Sequence, residues 1–227
     1  MIHSTWGLII ASGKEEQLAS GVDVAFLNIG SRPALAYSLD AYETCPDIDG
    51  VVVVVARERM ESVKTMAQMM GFTKVRSIVS GMARRLTSTG AGLPALPESA
   101  TLVSVHQVSR PMVTPDLIAE TVKSAKRYGS GVAAVKAAAP IREAKGQTVD
   151  KVLNRTVIWE VLTPQTYRRD LLEKAVQKAS KSKKEFEEES EVVGLLKEKI
   201  HLVPSSPTNI RVATPEELTL AAALARM

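Results

Sequence analysis

The chain has 227 residues, of which 45% are hydrophobic and 24% are charged, and its 29 lysine and arginine residues exceed its 25 acidic residues to give a net charge of +4. This length and apolar content suffice for one generous domain with a buried core, which excludes a disordered polypeptide. No apolar run approaches the ~20 residues that a membrane-spanning helix needs, so an integral membrane protein is excluded as well.

Short apolar runs alternate along the chain with segments of helical periodicity. In chain order, the pattern predicts the strand Trp6–Ser12, the helix Arg32–Thr44, the strand Val51–Ala56, the helix Glu58–Met70, the strands Lys74–Val79 and Thr101–Val105, a helix from Pro115 to about Tyr128, the strand Ser130–Ala138 and a final helix from Pro215. The continuous valines of the second strand are typical of a strand covered on both faces. The alternation indicates an α/β fold with a mostly parallel, doubly wound sheet.

Two helices have clear start signals. Thr114 and Thr214 are N-cap residues, and each is followed by a proline at the first helical position. Acidic residues follow in the first turn of both helices, where they complement the helix dipole. We therefore expect helices to begin at Pro115 and Pro215.

One stretch departs from the alternation. Residues 147–162 have β-type side chains without a helix cap, and no helix separates them from the preceding strand. We interpret the region of about 140–162 as an extended β arm or hairpin that projects from the main sheet. An exposed β arm is a pairing surface, so we expect a homodimer. No repeat or long linker interrupts residues 1–227, which we expect to form a single domain.

The net charge of +4 is compatible with a nucleic-acid ligand, a phosphorylated small molecule or no functional role. Nucleic-acid modules interleave basic residues with aromatic ones, but only 4% of this chain is aromatic. The densest basic run, Lys178–Lys184, is followed at once by the acidic run Glu185–Glu191. We interpret the two runs as a solvated helix or loop face and expect no nucleic-acid partner.

Cysteine usage and the N-terminal sequence indicate a cytoplasmic protein. The single cysteine, Cys45, cannot form an internal disulfide, which fits a reducing compartment. The first residues carry no basic segment followed by a long apolar run, so we expect no signal peptide. One cysteine and three histidines make a zinc site built from such ligands nearly impossible.

Ligands of open α/β sheets bind beyond the carboxyl ends of the strands, near helix N-termini. After the first strand, Ala11, Ser12 and Gly13 allow backbone N–H groups to approach a phosphate or a base, and Lys14 supplies charge. The stretch matches neither of the established glycine-rich phosphate motifs, and an ordinary loop is the more frequent structure for such a sequence.

Further candidates follow the third and fourth strands. Gly81, Arg84 and Thr87 lie where a strand leads into a helix, an arrangement that can hold an anion or a nucleobase. His106 ends the next strand, and a lone histidine there is more often structural than catalytic. Near the C-terminus, Arg211 precedes the last helix and offers another cation.

Six segments carry a resemblance to a known family. They are LIIASG at 8–13, FLNIGSRPALAYSLDAY at 26–42, SGMARRLTST at 80–89, VSVHQVSRPMVTPDLI at 103–118, LNRTVIWEVLTPQTYRRDLL at 153–172 and NIRVATPEEL at 209–218. The most specific elements are H-x-x-x-R-P, W-x-x-x-T-P-Q and the N-I-R-V ending. With these segments, the chain resembles the 2-C-methyl-D-erythritol 4-phosphate cytidylyltransferases and their relatives, the ribitol-5-phosphate cytidylyltransferases.

The resemblance implies a Rossmann-like nucleotidyltransferase fold whose β arm builds a homodimer, and an enzyme of the non-mevalonate isoprenoid pathway. In such an enzyme a polyol phosphate attacks the α-phosphate of CTP and displaces pyrophosphate with the help of magnesium, a reaction that depends on positioning and charge stabilisation. The resemblance places Arg155 on the arm, where it reaches the sugar phosphate of the neighbouring subunit. The implicated residues are Ala11, Ser12, Gly13, Gly81, Arg84, Thr87, His106, Arg110 and Arg155 for substrate binding, and Lys14 and Arg211 for catalysis.

Several positions depart from the family pattern. Met82 and Gln107 stand where aspartates are usual, the second of which normally helps to hold magnesium. Glu15–Gln17 occupy the region of an arginine, and Val24 falls at a lysine. An acidic pair that faced a triphosphate would repel it.

Two hypotheses follow from this pattern. The first is a divergent cytidylyltransferase that makes a CDP-polyol from CTP and a polyol phosphate. The second is a catalytically degenerate homologue that keeps the fold and the dimer and has a nucleotide-binding, regulatory or interaction role.

Overall fold

The strands and helices follow the alternation that the sequence predicts. The computed structural model describes residues 4–18, 20–182 and 184–226. Its strands are β1 (Ser4–Ala11), β2 (Asn28–Ile29), β3 (Arg32–Pro33), β4 (Gly50–Val55), β5 (Val75–Ser80), β6 (Ala100–Gln107), β7 (Ser130–Lys136), β8 (Ile141–Lys145), β9 (Thr148–Leu153), β10 (Trp159–Arg168) and β11 (Leu202–Pro204). Its α-helices are α1 (Ala34–Thr44), α2 (Met60–Met70), α3 (Arg85–Gly92), α4 (Pro115–Tyr128), α5 (Arg169–Ser180), α6 (Glu189–Gly194) and α7 (Pro215–Leu224).

Seven strands form the central sheet, in the order β11-β7-β10-β6-β1-β4-β5. All neighbouring strands are parallel except β10, which lies antiparallel between β6 and β7. The predicted α/β fold with a mostly parallel sheet is confirmed. From β1 the chain builds β4 and β5 on one side and then returns to place β6 on the other. The strand order therefore reverses between β1 and β6, which is where ligands of such sheets bind.

The core lies on both faces of the sheet. In β4 all residues of Gly50–Val55 are buried, as expected for a strand covered on both faces. Val51, Val53 and Val55 pack in a cluster with side chains of α1, α2 and α4. Val52 and Val54 pack in a second cluster with side chains of α5 and α6. Successive strand residues point to opposite faces, so one continuous valine run serves both clusters.

The expectations for helix starts are confirmed at α4 and α7. The Thr114 hydroxyl oxygen accepts a hydrogen bond from the Leu117 backbone N–H at 3.2 Å. Thr214 and Glu217 form a reciprocal capping box at the start of α7. Among the helices of the described residues, none has the length and apolar character needed to cross a membrane.

The predicted β arm is only partly correct. Strands β8 and β9 do form a separate hairpin with exposed side chains over 141–153. Residues 159–162, however, begin β10, a strand inside the central sheet that pairs with both of its neighbours. Pro164 argues against a central strand because it cannot donate a ladder hydrogen bond. The pairing of β10 with β7 is irregular between Val161 and Gln165, and this irregularity accommodates the proline.

The interpretation of residues 178–191 as a solvated face is also only partly correct. Lys178 lies on the exposed side of α5, and Lys184 pairs with Glu191 at 2.7 Å near the surface. Glu189, in contrast, is fully buried at the start of α6. Charge composition does not distinguish a buried acidic residue from its solvated neighbours, because burial here depends on an arginine that is distant in sequence.

We predict that Gly131→Ala destabilises the protein, because a Cβ at this position in β7 would overlap the Thr121 carbonyl oxygen of the backbone in α4. Overpacking of this kind costs about 1–3 kcal/mol of unfolding free energy. Urea unfolding monitored by circular dichroism measures the difference. Gly194→Ala is the matched control, since no atom lies within 4 Å of its added Cβ and its φ angle is not positive. Equal unfolding free energies for the two variants would contradict the close approach of α4 to β7.

Candidate functional site

A polar cavity of about 480 Å³ lies at the carboxyl-end edge of the sheet, next to the point where the strand order reverses. Its walls come from the turn after β1, the start of α3, the ends of β6 and β10 that meet there, the segment before α6 and the segment before α7. The charged and polar residues of its lining are Arg84, Arg85, Arg110, Arg211, Glu15, Glu185, Glu187, Glu188 and Gln107. The cavity thus brings together cations from three distant parts of the sequence.

The loop after β1 packs tightly against the loop after β5. Gly13 has a φ of 111°, and a Cβ there would lie 2.9 Å from the Arg85 backbone nitrogen. A Cβ on Gly81 would overlap the Ser12 hydroxyl. The Ser12 hydroxyl instead donates a hydrogen bond to the Ser88 hydroxyl at 3.0 Å. Because these residues are small, the end of β1 and the start of α3 can pack closely beside the cavity.

The acidic residues of the turn after β1 do not both face the cavity. The Glu15 carboxylate lines it and accepts a hydrogen bond from the Arg85 backbone N–H at 3.0 Å. Glu16 is only 1% exposed, and its two oxygens accept hydrogen bonds from Gln107 Nε2 at 2.9 Å and the Ser109 backbone N–H at 2.8 Å. The expectation of an acidic pair facing a triphosphate is therefore wrong for Glu16, because the tight turn directs this side chain inward.

Burial raises the pKa of the Glu16 carboxyl above its ordinary value, while the Ser109 amide and the positive charge of Arg85 oppose the rise. Both hydrogen-bond partners of Glu16 are donors, and an ionised carboxylate can accept both hydrogen bonds because it has only acceptor atoms. The nearby positive charges favour the same ionised form.

Three arginines converge on the cavity with unused hydrogen-bond donors. The Nε atoms of Arg85, Arg110 and Arg211 are buried and have no partner among the residues that the structure describes. Arg110 donates from Nη1 to the Asn209 carbonyl oxygen at 2.9 Å, and Arg211 donates from Nη2 to the Glu15 carbonyl oxygen at 2.6 Å. Unpartnered buried donors are rare in proteins, and guanidinium groups suit phosphate as a ligand.

The positive charges of the cavity also repel one another. Burial, together with the charges of Arg85 and Arg211, lowers the pKa of Arg110 to about 10. At neutral pH this guanidinium is still protonated, but its charged form is less stable than in water. An anion in the cavity would relieve that repulsion, so the electrostatics and the free donors both favour a phosphorylated ligand.

Arg85 is anchored by an ion pair beneath the cavity. Its guanidinium pairs with the Glu189 carboxylate, and both side chains are almost fully buried. The second Glu189 oxygen accepts a hydrogen bond from the Thr89 hydroxyl at 2.7 Å. The neighbouring Arg84 is much more exposed and pairs with Glu185 at 2.8 Å. Helix α3 begins between the two arginines, so one points inward and the other toward solvent.

His106 is placed away from the cavity. It is fully buried, with its ring nitrogens 3.0 Å from the Thr163 hydroxyl and 3.3 Å from the Ser38 hydroxyl. Burial and the charge of Arg110 lower its pKa to about 3, so the ring is neutral at physiological pH. His106 is therefore not part of the cavity lining, and its two hydrogen bonds join β6 to α1 and β10.

The remaining sequence candidates are spread around the site. Lys14 is exposed on the turn after β1, and its ammonium group pairs with none of the described residues. Thr87 lies with Arg84 on an adjacent, mainly apolar cavity of about 440 Å³ between α3 and α5. Arg155 lies beyond the hairpin and donates to the Ala138 carbonyl oxygen at 2.5 Å, outside the cavity of its own chain. Ala11 is buried in the core at the end of β1.

Sequence reasoning missed Arg85, Ser88, Glu16 and Glu189. The pair Arg85 and Ser88 repeats the spacing of the pair Arg84 and Thr87 one residue later. Only the exact start of α3 decides which pair faces the loop after β1, and element boundaries are the least certain part of a sequence prediction.

The described side chains around position 107 do not form a magnesium site by themselves. Within the described ranges, no group of three or more histidine, cysteine, aspartate or glutamate residues could hold a metal ion. Position 107 offers an amide whose Nε2 already donates to Glu16, and both Glu16 oxygens are occupied by donors. Magnesium prefers freely available oxygen ligands, and these two side chains do not supply a carboxylate for it.

Comparison with known proteins gives concordant matches. The family model of 2-C-methyl-D-erythritol 4-phosphate cytidylyltransferase (IspD) matches residues 6–227. The chain is 31% identical over 215 residues to the 2-C-methyl-D-erythritol 4-phosphate cytidylyltransferase of Dehalococcoides mccartyi strain CBDB1, covering 94% of this chain and 92% of the relative. It is 32% identical over 218 residues to that of Desulforamulus reducens, covering 95% and 93%. The crystal structure of the Thermus thermophilus protein of the same description has a TM-score of 0.80 at 27% identity, covering 97% of this chain and 98% of that one.

We predict that Glu189→Gln lowers the unfolding free energy by about 3–5 kcal/mol, because it leaves the Arg85 guanidinium buried without a counter-charge. Urea unfolding at neutral pH measures the loss. Glu185→Gln is the matched control, since it breaks the exposed pair with Arg84 and should change stability little. Equal effects of the two variants would show that the buried pair is not the stronger interaction.

We predict that His106 makes the protein less stable as the pH falls. The unfolded imidazole binds a proton below its ordinary pKa of 6.5, whereas the folded one does not until about pH 3, so the unfolding free energy falls with pH through this window. Between pH 7 and pH 5 the loss amounts to about 2 kcal/mol.

Urea unfolding of the native protein and of His106→Gln at both pH values isolates this contribution. Glu16, with its raised pKa, acts in the opposite direction but is present in both proteins and cancels in the difference. The variant should show the flatter pH dependence, and parallel pH dependences would contradict a neutral His106.

Proposed function

Because the chain belongs to the 2-C-methyl-D-erythritol 4-phosphate cytidylyltransferase family, we propose that it transfers CMP from CTP to 2-C-methyl-D-erythritol 4-phosphate and releases pyrophosphate. An oxygen of the polyol phosphate forms a bond to the α-phosphorus of CTP, and the bond from that phosphorus to the bridging oxygen of the β-phosphate breaks. The observation that supports this function most directly is the set of three buried arginine Nε donors around one polar cavity.

In this proposal, each of the two neighbouring cavities binds a different part of the nucleotide. The polar cavity takes phosphate groups, and the mainly apolar one between α3 and α5 takes the base and ribose. Arg84, Glu185 and Phe186 line both, so a single ligand can extend from one to the other. Thr87 lies on the apolar side, in keeping with a role next to the base or ribose. Ligand sites combine apolar walls with a few polar groups in this way.

The chain's own residues stabilise the charge that grows on the phosphate oxygens during transfer. Arg110 and Arg211 line the polar cavity, and their buried Nε donors have no partner among the described residues. Lys14 lies on the turn after β1, next to Glu15 of the cavity lining, and its long side chain is exposed. Preorganised donors are effective here because they need no reorganisation when the charge appears.

We also propose that the protein acts as a homodimer in the cytoplasm. The hairpin β8–β9 and the turn after it expose three valines, Val149, Val152 and Val157, by 58%, 66% and 69%. A second copy would cover them. Arg155 lies next to Val157 and outside its own cavity, which fits a contribution to the sugar phosphate in the partner's site.

One observation favours the second candidate, a degenerate homologue that binds nucleotide without turnover. Val24, at the position of a family lysine, is fully buried in a cluster with Ile29, Ala34 and Val212. That position therefore offers no cation to the reaction. A homologue of this kind would keep the arginines and the fold but lack part of the charge that the transition state requires.

We predict that the purified protein releases pyrophosphate from CTP in the presence of magnesium and 2-C-methyl-D-erythritol 4-phosphate, and that phosphorus NMR detects the new diphosphate linkage. Arg110→Met and Arg211→Met should lower kcat by about 100- to 1,000-fold, since each removes a donor at the reacting phosphates. Lys14→Met should lower kcat in the same direction. Lys199→Met removes an exposed cation that does not line the cavity and should leave turnover unchanged.

Calorimetric titration with CTP distinguishes the two candidates. CTP binding without turnover in the native protein would identify the degenerate homologue. Absence of both binding and turnover would contradict both candidates.

A further inference from the structure

The carboxylate of Glu16 adds a side-chain connection between two parts of the cavity wall, the turn after β1 and the end of β6. The turn that carries it contacts the loop before α3 through the hydrogen bond from the Lys14 backbone N–H to the Ala83 carbonyl oxygen at 3.1 Å. Its side chain contacts the end of β6 through Gln107 and Ser109. The buried Glu16 is thus placed to set the position of cavity residues without lining the cavity itself.

The hydrogen bond to Glu16 decides which end of the Gln107 amide is available to a ligand. A carboxylate only accepts hydrogen bonds, so Gln107 must present its NH2 group to Glu16. The carbonyl oxygen Oε1 is bonded to the same carbon and points away from that partner. Gln107 lines the polar cavity, so the atom left for a ligand is an acceptor in a lining where the arginines offer only donors.

The same carboxylate balances charge. The negative charge of Glu16 stabilises the protonated Arg110, against the destabilising charges of Arg85 and Arg211. A neutral side chain at position 16 would remove this balance and make the cavity more positive. Glu16 therefore acts on both hydrogen bonding and electrostatic potential at the site.

We propose that Glu16 is a positioning residue that holds the Gln107 carbonyl oxygen toward the cavity, where it accepts a hydrogen bond from a hydroxyl group of a phosphorylated substrate. In this arrangement Glu16 and Gln107 form one hydrogen-bonded pair. The Glu16 carboxylate carries the negative charge, Gln107 Nε2 donates to it, and Gln107 Oε1 is left as the acceptor for a ligand. The inference deepens the proposed transferase function and rests on it for the identity of the substrate.

Exchange of the two side chains tests the unit. In Glu16→Gln, the new amide accepts the hydrogen bond from Ser109 through its carbonyl oxygen, so its NH2 group faces Gln107. Gln107 must then present its carbonyl oxygen to position 16 and turn its own NH2 group toward the cavity. In Gln107→Glu, two carboxylates meet without a donor between them. In the double variant Glu16→Gln/Gln107→Glu, the amide at position 16 accepts from Ser109 through its carbonyl oxygen. The NH2 group of the same amide donates to the carboxylate at position 107, so the original pattern is restored with its charge.

Four quantities are measured for these variants and for the native protein. They are kcat and the KM for the polyol phosphate, calorimetric affinity for inorganic pyrophosphate, and the urea unfolding midpoint. Glu120→Gln, a surface change on α4 far from the cavity lining, is the matched control and should alter none of them.

Glu16→Gln should raise the KM for the polyol phosphate and lower kcat by roughly 10- to 100-fold, the range expected when a residue that orients a functional group is replaced. It should at the same time bind pyrophosphate more tightly, because the cavity gains a donor and loses a negative charge. Gln107→Glu should bind pyrophosphate more weakly. The double variant should return all four quantities close to the native values, a non-additive result that is expected for residues in direct contact.

A double variant no better than the worse single variant would overturn the proposal. So would parallel losses of kcat and pyrophosphate affinity in Glu16→Gln, which indicate a purely structural role. If the native protein shows no turnover, the proposed function fails, but the pyrophosphate affinities still test the pairing. Equal affinities in all four proteins would then contradict it.

Discussion

The site depends on keeping three arginine side chains close together and largely out of water. Burial and mutual repulsion both oppose this arrangement, as the lowered pKa of Arg110 shows. The protein compensates each charge differently: Glu189 pairs directly with Arg85, Glu16 acts on Arg110 from a short distance, and main-chain carbonyl oxygens bind the outer nitrogens of the other two arginines. These contacts hold the side chains in place while the inner Nε donors stay unused. The cavity is therefore prepared for an anion before any ligand arrives, at the expense of repulsion that the ligand relieves.

The sheet makes this concentration of charge possible. Reversal of the strand order between β1 and β6 opens a crevice at their carboxyl ends, and the antiparallel β10 brings its first residues to the same edge. Glycines at positions 13 and 81 let the segments after β1 and β5 approach so closely that a Cβ would collide with Arg85 or Ser12 of the facing segment. The rigid strand ends and the close loops fix the backbone, so that short turns can direct individual side chains inward or outward.

Much of the fold could be predicted from the sequence, and the reasons are local. The valine run of β4 and the threonine–proline starts of α4 and α7 depend on neighbouring residues alone, and all three were confirmed. The position of β10 could not be predicted in this way, because Pro164 opposes a central strand and only the irregular pairing with β7 resolves the conflict. The site was harder still, since the burial of Glu189 and Glu16 depends on partners about 100 and 90 residues away.

The hydrogen bond between Arg211 and the Glu15 carbonyl oxygen joins residues that are 196 positions apart. During synthesis on the ribosome, the turn after β1 is therefore made 196 residues before the arginine that completes the cavity wall. Asn209 and Val212 then bind Thr163 and Ser109 as the same segment docks. A nascent chain consequently lacks a finished cavity wall until the segment that carries Arg211 has emerged. An anion can be bound in this cavity only by molecules whose synthesis has passed this segment, so ligand binding would report on completion of the cavity wall.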